Sequence, residues 1–175
     1  MKKIQFILLL FCVQLSLLAN HHTQGFDNKY NKVSYHTLSS LSVNGNQGVS
    51  AAYSGSIEDA IIIAGGCNFP DQPAKDGGKK VFYKQIHLLN HPEDSTSKWE
   101  IIGELPHALA YGASVTVPEG VICIGGTDGE KSFSDVNLIT LDKGKPTIHN
   151  LPKLPIALDN FGAAYGGGYI YVAGG

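Results

Sequence analysis

Asn68, Phe69, Tyr111 and Asp128 are the residues of this chain whose types best suit holding a small polar ligand. Two aromatic rings offer flat apolar faces. An amide and a carboxylate offer hydrogen bonds to hydroxyls. A plainer role is open to each of them. Asp128, in "TDGE", suits a turn, and Asn68, before Phe69-Pro70, suits a loop cap. Tyr111 suits packing between structural units. His107 reads as a solvated loop residue, with acid–base work as its alternative. Lys79 and Lys80 read as solvated loop lysines, either of which could face an anion.

Other chemistries find little support. The 13 basic residues are all lysines, against 15 acidic ones, and no Arg is present. Arg is the preferred bidentate partner of phosphate and carboxylate. Its absence, with no basic patch, argues against nucleic acid as a partner. No zinc-type spacing occurs, and no His, Cys and Tyr cluster suits copper, so neither a zinc nor a copper site is expected. His21-His22 reads as a solvated pair. Cys12 falls in the apolar leader described next. Cys67 and Cys123 are expected as buried free thiols, with a disulfide as the alternative.

Residues 1–19 have the form of a secretory signal peptide. Lys2-Lys3 make a short positive region, Ile4 to Leu18 is mostly apolar, and Ala19 is small. The run is short for a membrane span. The expectation is therefore a periplasmic or secreted protein, free of the membrane once processed, with an uncleaved anchor as the alternative. Residues 20–32 read as a flexible spacer.

The elements that would position the four site candidates follow from a repeat. "AIIIAGG", "VICIGG" and "YIYVAGG" each run an apolar strand into Gly-Gly. A small-residue strand and a hairpin turn ("SGSIED", "PEG", "GGG") precede each one. After the first two come further strands. "VFYKQIHLL" (81–89) aligns with "KSFSDVNLI" (131–139), setting Tyr83 against Phe133 and Ile86 against Val136. "KWEIIGELP" then aligns with "PTIHNLPKLP", setting Leu105 against Leu154. In the N-terminal piece, Leu41 falls on Leu105 and Tyr35 on Trp99.

A unit of four antiparallel strands, repeated every 50 to 60 residues or so, reads as a β-propeller blade. The fold expected is all-β. It comprises a closing strand of another blade (33–38), a blade at 48–104, a second at 112–152 and half of a third at 162–175. The incomplete propeller, 33–175, thus holds about two and a half blades and reads as a fragment of a longer protein. In such a blade the first strand starts where the second ends. One rim then gathers Asn46, Gln47, His107, Tyr111, Asn160 and Phe161 with Asn68, Phe69, Asp71, Thr127, Asp128 and Glu130. The long loop 67–80 is a candidate cover for that mouth.

The Gly-Gly blades resemble kelch repeats. Across 47–151, "GVSAAYSG", "IIIAGGCNFP", "GGKKVFYKQIHLL", "KWEIIGELPHALAYGASV" and "VICIGGTDGEKSFSDVNLITL" together resemble N-acetylneuraminate mutarotases, also called sialic acid epimerases. Their order directly after a leader resembles the cyclically permuted branch of that family. The resemblance implies six blades, a periplasmic location and interconversion of the α and β anomers of sialic acid by acid–base ring opening. It implies a sugar acid as partner and no cofactor. The family's catalytic Glu and Arg lie in a Gly-Glu…Arg stretch with no counterpart here, and its Arg-Ala-Tyr-Gly is Leu109-Ala110-Tyr111-Gly112. The expectation is that this chain lacks the catalytic pair. The alternative is a secreted kelch propeller that binds glycan or protein and catalyses nothing.

Overall fold

A computed structural model describes Phe6–Leu8 as backbone, together with Tyr35, 37–43 and 48–175. Among these residues the regular structure is β-strand, apart from one 3-10 turn at Ala74–Asp76. Strand β1 is Phe6–Leu8. The first four-stranded sheet comprises β2 (Tyr53–Ile57) and β3 (Ala60–Ala64), then β6 (Gln85–Asn90) and β7 (Glu100–Glu104), in the order β2-β3-β6-β7. Between β3 and β6, the long loop forms a small ribbon of its own, β4 (Cys67–Asn68) against β5 (Val81–Phe82). The second sheet, β8 (Ala113–Val117), β9 (Gly120–Ile124), β10 (Val136–Asp142) and β11 (Lys145–Leu151), repeats the order. A final hairpin pairs β12 (Phe161–Gly166) with β13 (Tyr169–Gly174).

Each four-stranded sheet is a wholly antiparallel meander, and like strands face like strands. β2 packs against β8, β8 against β12, and β7 against β11. The protein is therefore a partial kelch-type β-propeller, with blades standing side by side. Its core lies between blades. Tyr53, Ile57, Ile62, Ile86 and Leu88 of the first blade pack against Val121, Cys123 and Ile139 of the second. Val115, Ile122, Ile124 and Val136 pack against Ile170 and Val172 of the hairpin.

This arrangement explains why β9 reads as an unbroken apolar run. Successive side chains point to opposite faces of a strand. Val121 and Cys123 therefore enter one cluster while Ile122 and Ile124 enter the other. Each such side chain contributes roughly 1.5–3 kcal/mol on full burial. The inner strand β2 leaves unpaired backbone groups along its edge, a liability in any sheet. The second blade covers them. Ser114 Oγ accepts from Ser54 N–H at 3.0 Å and donates to its carbonyl at 2.8 Å, and Thr116 Oγ1 accepts from Ser56 N–H at 3.2 Å.

Residues 1–19 and the spacer 20–32 lie outside the described residues except for Phe6–Leu8. That strand runs parallel to β13, Phe6 opposite Ile170 and Leu8 opposite Val172. Within 33–38, expected as a closing strand, Tyr35, Thr37 and Leu38 carry no strand pairing, and the others lie outside the described residues. The segment that follows does pack on the first blade, where Trp99 Nε1 donates to the Ser39 carbonyl at 2.8 Å. Among the described residues no helix is long and apolar enough to cross a membrane.

Candidate functional site at the propeller mouth

The Gly-Gly pairs are joints. Gly65 and Gly66 have φ of 65° and 94°, and Gly125 and Gly126 have 58° and 101°. In each pair the first N–H bonds a carbonyl where the third strand begins (Gln85 or Asp135). The second N–H bonds a linker carbonyl (Leu109 or Leu158) on the way to the next blade. A Cβ on Gly66 would lie 2.9 Å from that of Val49 and 3.0 Å from that of Ala52. Only glycine combines the positive φ with that close approach.

A second joint lies just before each inner strand. Ala51, Tyr111 and Asn160 all have φ between 53° and 61°, a region costly for residues other than glycine. The strain is part of a backbone relay. Tyr111 N–H donates to the Ala51 carbonyl at 2.9 Å, and Asn160 N–H donates to the Tyr111 carbonyl at 2.7 Å. Each blade's entry residue is thereby tied to the one before. The relay runs along one rim, where the second strands also end.

Onto this rim the long loop brings a cation. The ribbon register sets Asn68 against Val81, so the next residues toward the loop are Phe69 and Lys80. Lys80 Nζ donates to Tyr111 Oη at 2.7 Å. It stands 4.8 Å from the Tyr111 ring centroid and 5.5 Å from that of Phe69. The Tyr111 hydrogen bond raises the Lys80 pKa above its ordinary value. A groove beside this cluster is lined by Val49, Ser50, Phe69 and Pro73.

Phe69 and Tyr111 thus both lie beside Lys80, while Asn68 and Asp128 are engaged differently. Asn68 is buried. Its Oδ1 accepts from Tyr83 Oη at 2.7 Å and its Nδ2 donates to the Gly48 carbonyl at 3.1 Å. The amide thus braces the floor under Phe69. Asp128 caps its own turn. One carboxylate oxygen accepts from the N–H of Lys131 at 3.0 Å and of Glu130 at 2.9 Å, and these bonds hold its pKa below the usual carboxylate range. His107 packs against Phe133 with ring centroids 4.9 Å apart and the ring planes tilted by 39°. Asn46 and Gln47 lie outside the described residues. Cys67 and Cys123 are free and buried, and burial drives the Cys123 thiol pKa far upward. Among the described residues no group of three or more His, Cys, Asp or Glu could hold a metal ion.

The family model for N-acetylneuraminate epimerase matches residues 18–148, most of the chain. The chain belongs to the N-acetylneuraminate epimerase family. It is 35% identical over 111 residues to the N-acetylneuraminate epimerase of Haemophilus influenzae strain PittEE, covering 58% of this chain and 28% of that protein. It is 33% identical over 113 residues to that of Pasteurella multocida, covering 58% and 29%. The chain therefore spans under a third of the length of these relatives. The solved structure of YjhT superposes with a TM-score of 0.53 at 32% identity, covering 62% of this chain and 32% of that one. In this member of the N-acetylneuraminate epimerase family the mouth residue that sequence reasoning undervalued is Lys80. A signal was present, because a residue one step outside the β4–β5 ribbon must return to the rim together with Phe69.

Proposed function

We propose that this chain supplies the leading blades of a periplasmic sialic acid mutarotase, a larger propeller that interconverts the α and β anomers of N-acetylneuraminate. The observation that carries this reading is the family match over 18–148, together with a rim on which Phe69, Tyr111 and Lys80 converge. The reaction opens the sugar ring at the anomeric carbon and closes it on the other face. A base takes the proton of the anomeric hydroxyl, and an acid delivers one to the ring oxygen.

The residues of this chain fit binding better than proton transfer. Lys80 is a cation whose pKa the Tyr111 hydrogen bond raises further, and the rings of Phe69 and Tyr111 offer apolar surface to a pyranose face. Asn68 and Asp128 serve the mouth in this proposal by fixing its two loops, each with hydrogen-bonding capacity left for sugar hydroxyls. The acid–base pair is proposed to come from blades beyond this chain. Tyr169 and Tyr171, each about 40% exposed on the face of the last hairpin opposite Ile170 and Val172, favour a further blade packed there.

The test is NMR of freshly dissolved α-N-acetylneuraminate with the complete protein. Anomer exchange faster than in buffer is expected. An exchange rate equal to buffer would refute the enzyme and leave a non-catalytic glycan-binding propeller.

A further inference from the structure

We infer that Lys80 and Tyr111 form a two-donor clamp for the carboxylate of a sugar acid, so that the mouth selects acids over neutral sugars. The inference rests on the sugar-acid reading above and assigns its charge recognition to named atoms.

The chain has no Arg, so an anion here must be met by lysine or by neutral donors. Several lysines are already committed. Lys84 pairs with Glu104 at 2.6 Å, Lys153 pairs with Asp135 at 2.9 Å, and Lys131 lies over the Phe133 ring. Lys80 has no carboxylate partner among the described residues, and it stands on the rim.

The hydrogen bond between the two residues has a direction. An ammonium has only protons to give, so Tyr111 Oη accepts from Lys80. The phenol's own proton then remains free to donate. Lys80 has two further N–H groups. Two donor heavy atoms 2.7 Å apart therefore present protons to the same space, a spacing suited to the paired oxygens of one carboxylate.

The ammonium is also fixed before any ligand arrives, by two aromatic faces and one hydrogen bond. A long flexible side chain ordered in advance loses less freedom on binding. Tyr111 is held in turn by its strained backbone and its place in the relay. The groove beside Phe69, walled by Val49 and Pro73, gives the uncharged part of the ligand an apolar surface.

The experiment uses the complete protein and two probes, N-acetylneuraminate and its methyl ester, titrated by calorimetry. Variants are Lys80→Met, Lys80→Arg and Tyr111→Phe, with anomer exchange followed by NMR in parallel. Lys80→Met is expected to weaken binding of the acid about 10- to 100-fold and to leave the ester unchanged. Lys80→Arg is expected to restore most of the acid affinity, and Tyr111→Phe to weaken it by a smaller factor. Undiminished acid affinity in Lys80→Met, or equal loss for acid and ester, would overturn the clamp. If the wild type exchanges anomers and Lys80→Met keeps full acid affinity, the clamp fails and the mutarotase reading stands. If the wild type binds the acid through Lys80 but leaves exchange at the buffer rate, the mutarotase reading fails and the clamp stands. Binding of neither probe by the wild type overturns both.

Discussion

Tyr53 pins the first blade to the second, and Tyr53→Phe tests how much that pin contributes. The side chain is buried, and its hydroxyl donates to the Gly125 carbonyl, inside the second blade's glycine joint. Phenylalanine keeps the ring and removes the donor. The Gly125 carbonyl then faces a space too apolar to replace the bond. Leaving such a group unsatisfied costs about 1–3 kcal/mol. Urea unfolding of the protein at pH 7, followed by circular dichroism, should show a loss of that size.

The pH dependence sharpens the test. Burial, with smaller contributions from Cys123 and Asp135, raises the Tyr53 pKa far above its ordinary 10.0. A group with a raised folded pKa contributes its full stability below the unfolded pKa. It loses that contribution as pH climbs above it. The wild type should therefore lose about 1.4 kcal/mol per pH unit from this residue above roughly pH 10. The variant has no such loss, and Cys123 titrates in both proteins and cancels. The stability gap should close about one to two units above pH 10. A constant gap between pH 8 and 11.5, or a variant as stable as the wild type at pH 7, would refute the argument.

The glycine joints predict a contrast. Gly66→Ala should cost roughly 2–5 kcal/mol, because strain at φ 94° adds to the clash with Val49 and Ala52. Gly144→Ala, at φ 76° with nothing within 4 Å of the new Cβ, should cost only about 1 kcal/mol in the same urea melts. Asn68→Ala strands the Tyr83 hydroxyl and the Gly48 carbonyl, and should destabilise the protein by about 1–3 kcal/mol. Cys67 and Cys123 are both buried, so neither should react with a thiol reagent such as Ellman's in the folded protein, and both should react at once in denaturant.

The repeat was legible because it is written in backbone requirements. Gly-Gly marks a sharp exit that other residues cannot make, and Tyr83 and Phe133 hold the same position in successive blades. Each donates its N–H to the second glycine's carbonyl, at 2.9 and 2.8 Å. The equivalence of Leu105 and Leu154 was equally readable, since both are buried and both bond back to the turn before the third strand.

The site was less legible because the same repeat position can do different work. Asn68 and Asp128 each lie two residues beyond a Gly-Gly pair. The longer loop folds over Asn68 and buries it, while the shorter one leaves Asp128 to cap a turn. Lys80 was hidden for the same reason, because its partner Tyr111 is far away in the sequence. The left-handed backbone at Ala51, Tyr111 and Asn160 left no signature at all, since two of the three are not residues that favour it.

The path from Gly66 to Tyr83 is much longer than the path from Gly126 to Phe133, yet both arrive at the same hydrogen bond. Blade geometry is thus insulated from excursion length. New recognition chemistry can be acquired by lengthening one excursion, without renegotiating how neighbouring sheets meet. A lineage built this way can change what it captures while its frame stays still.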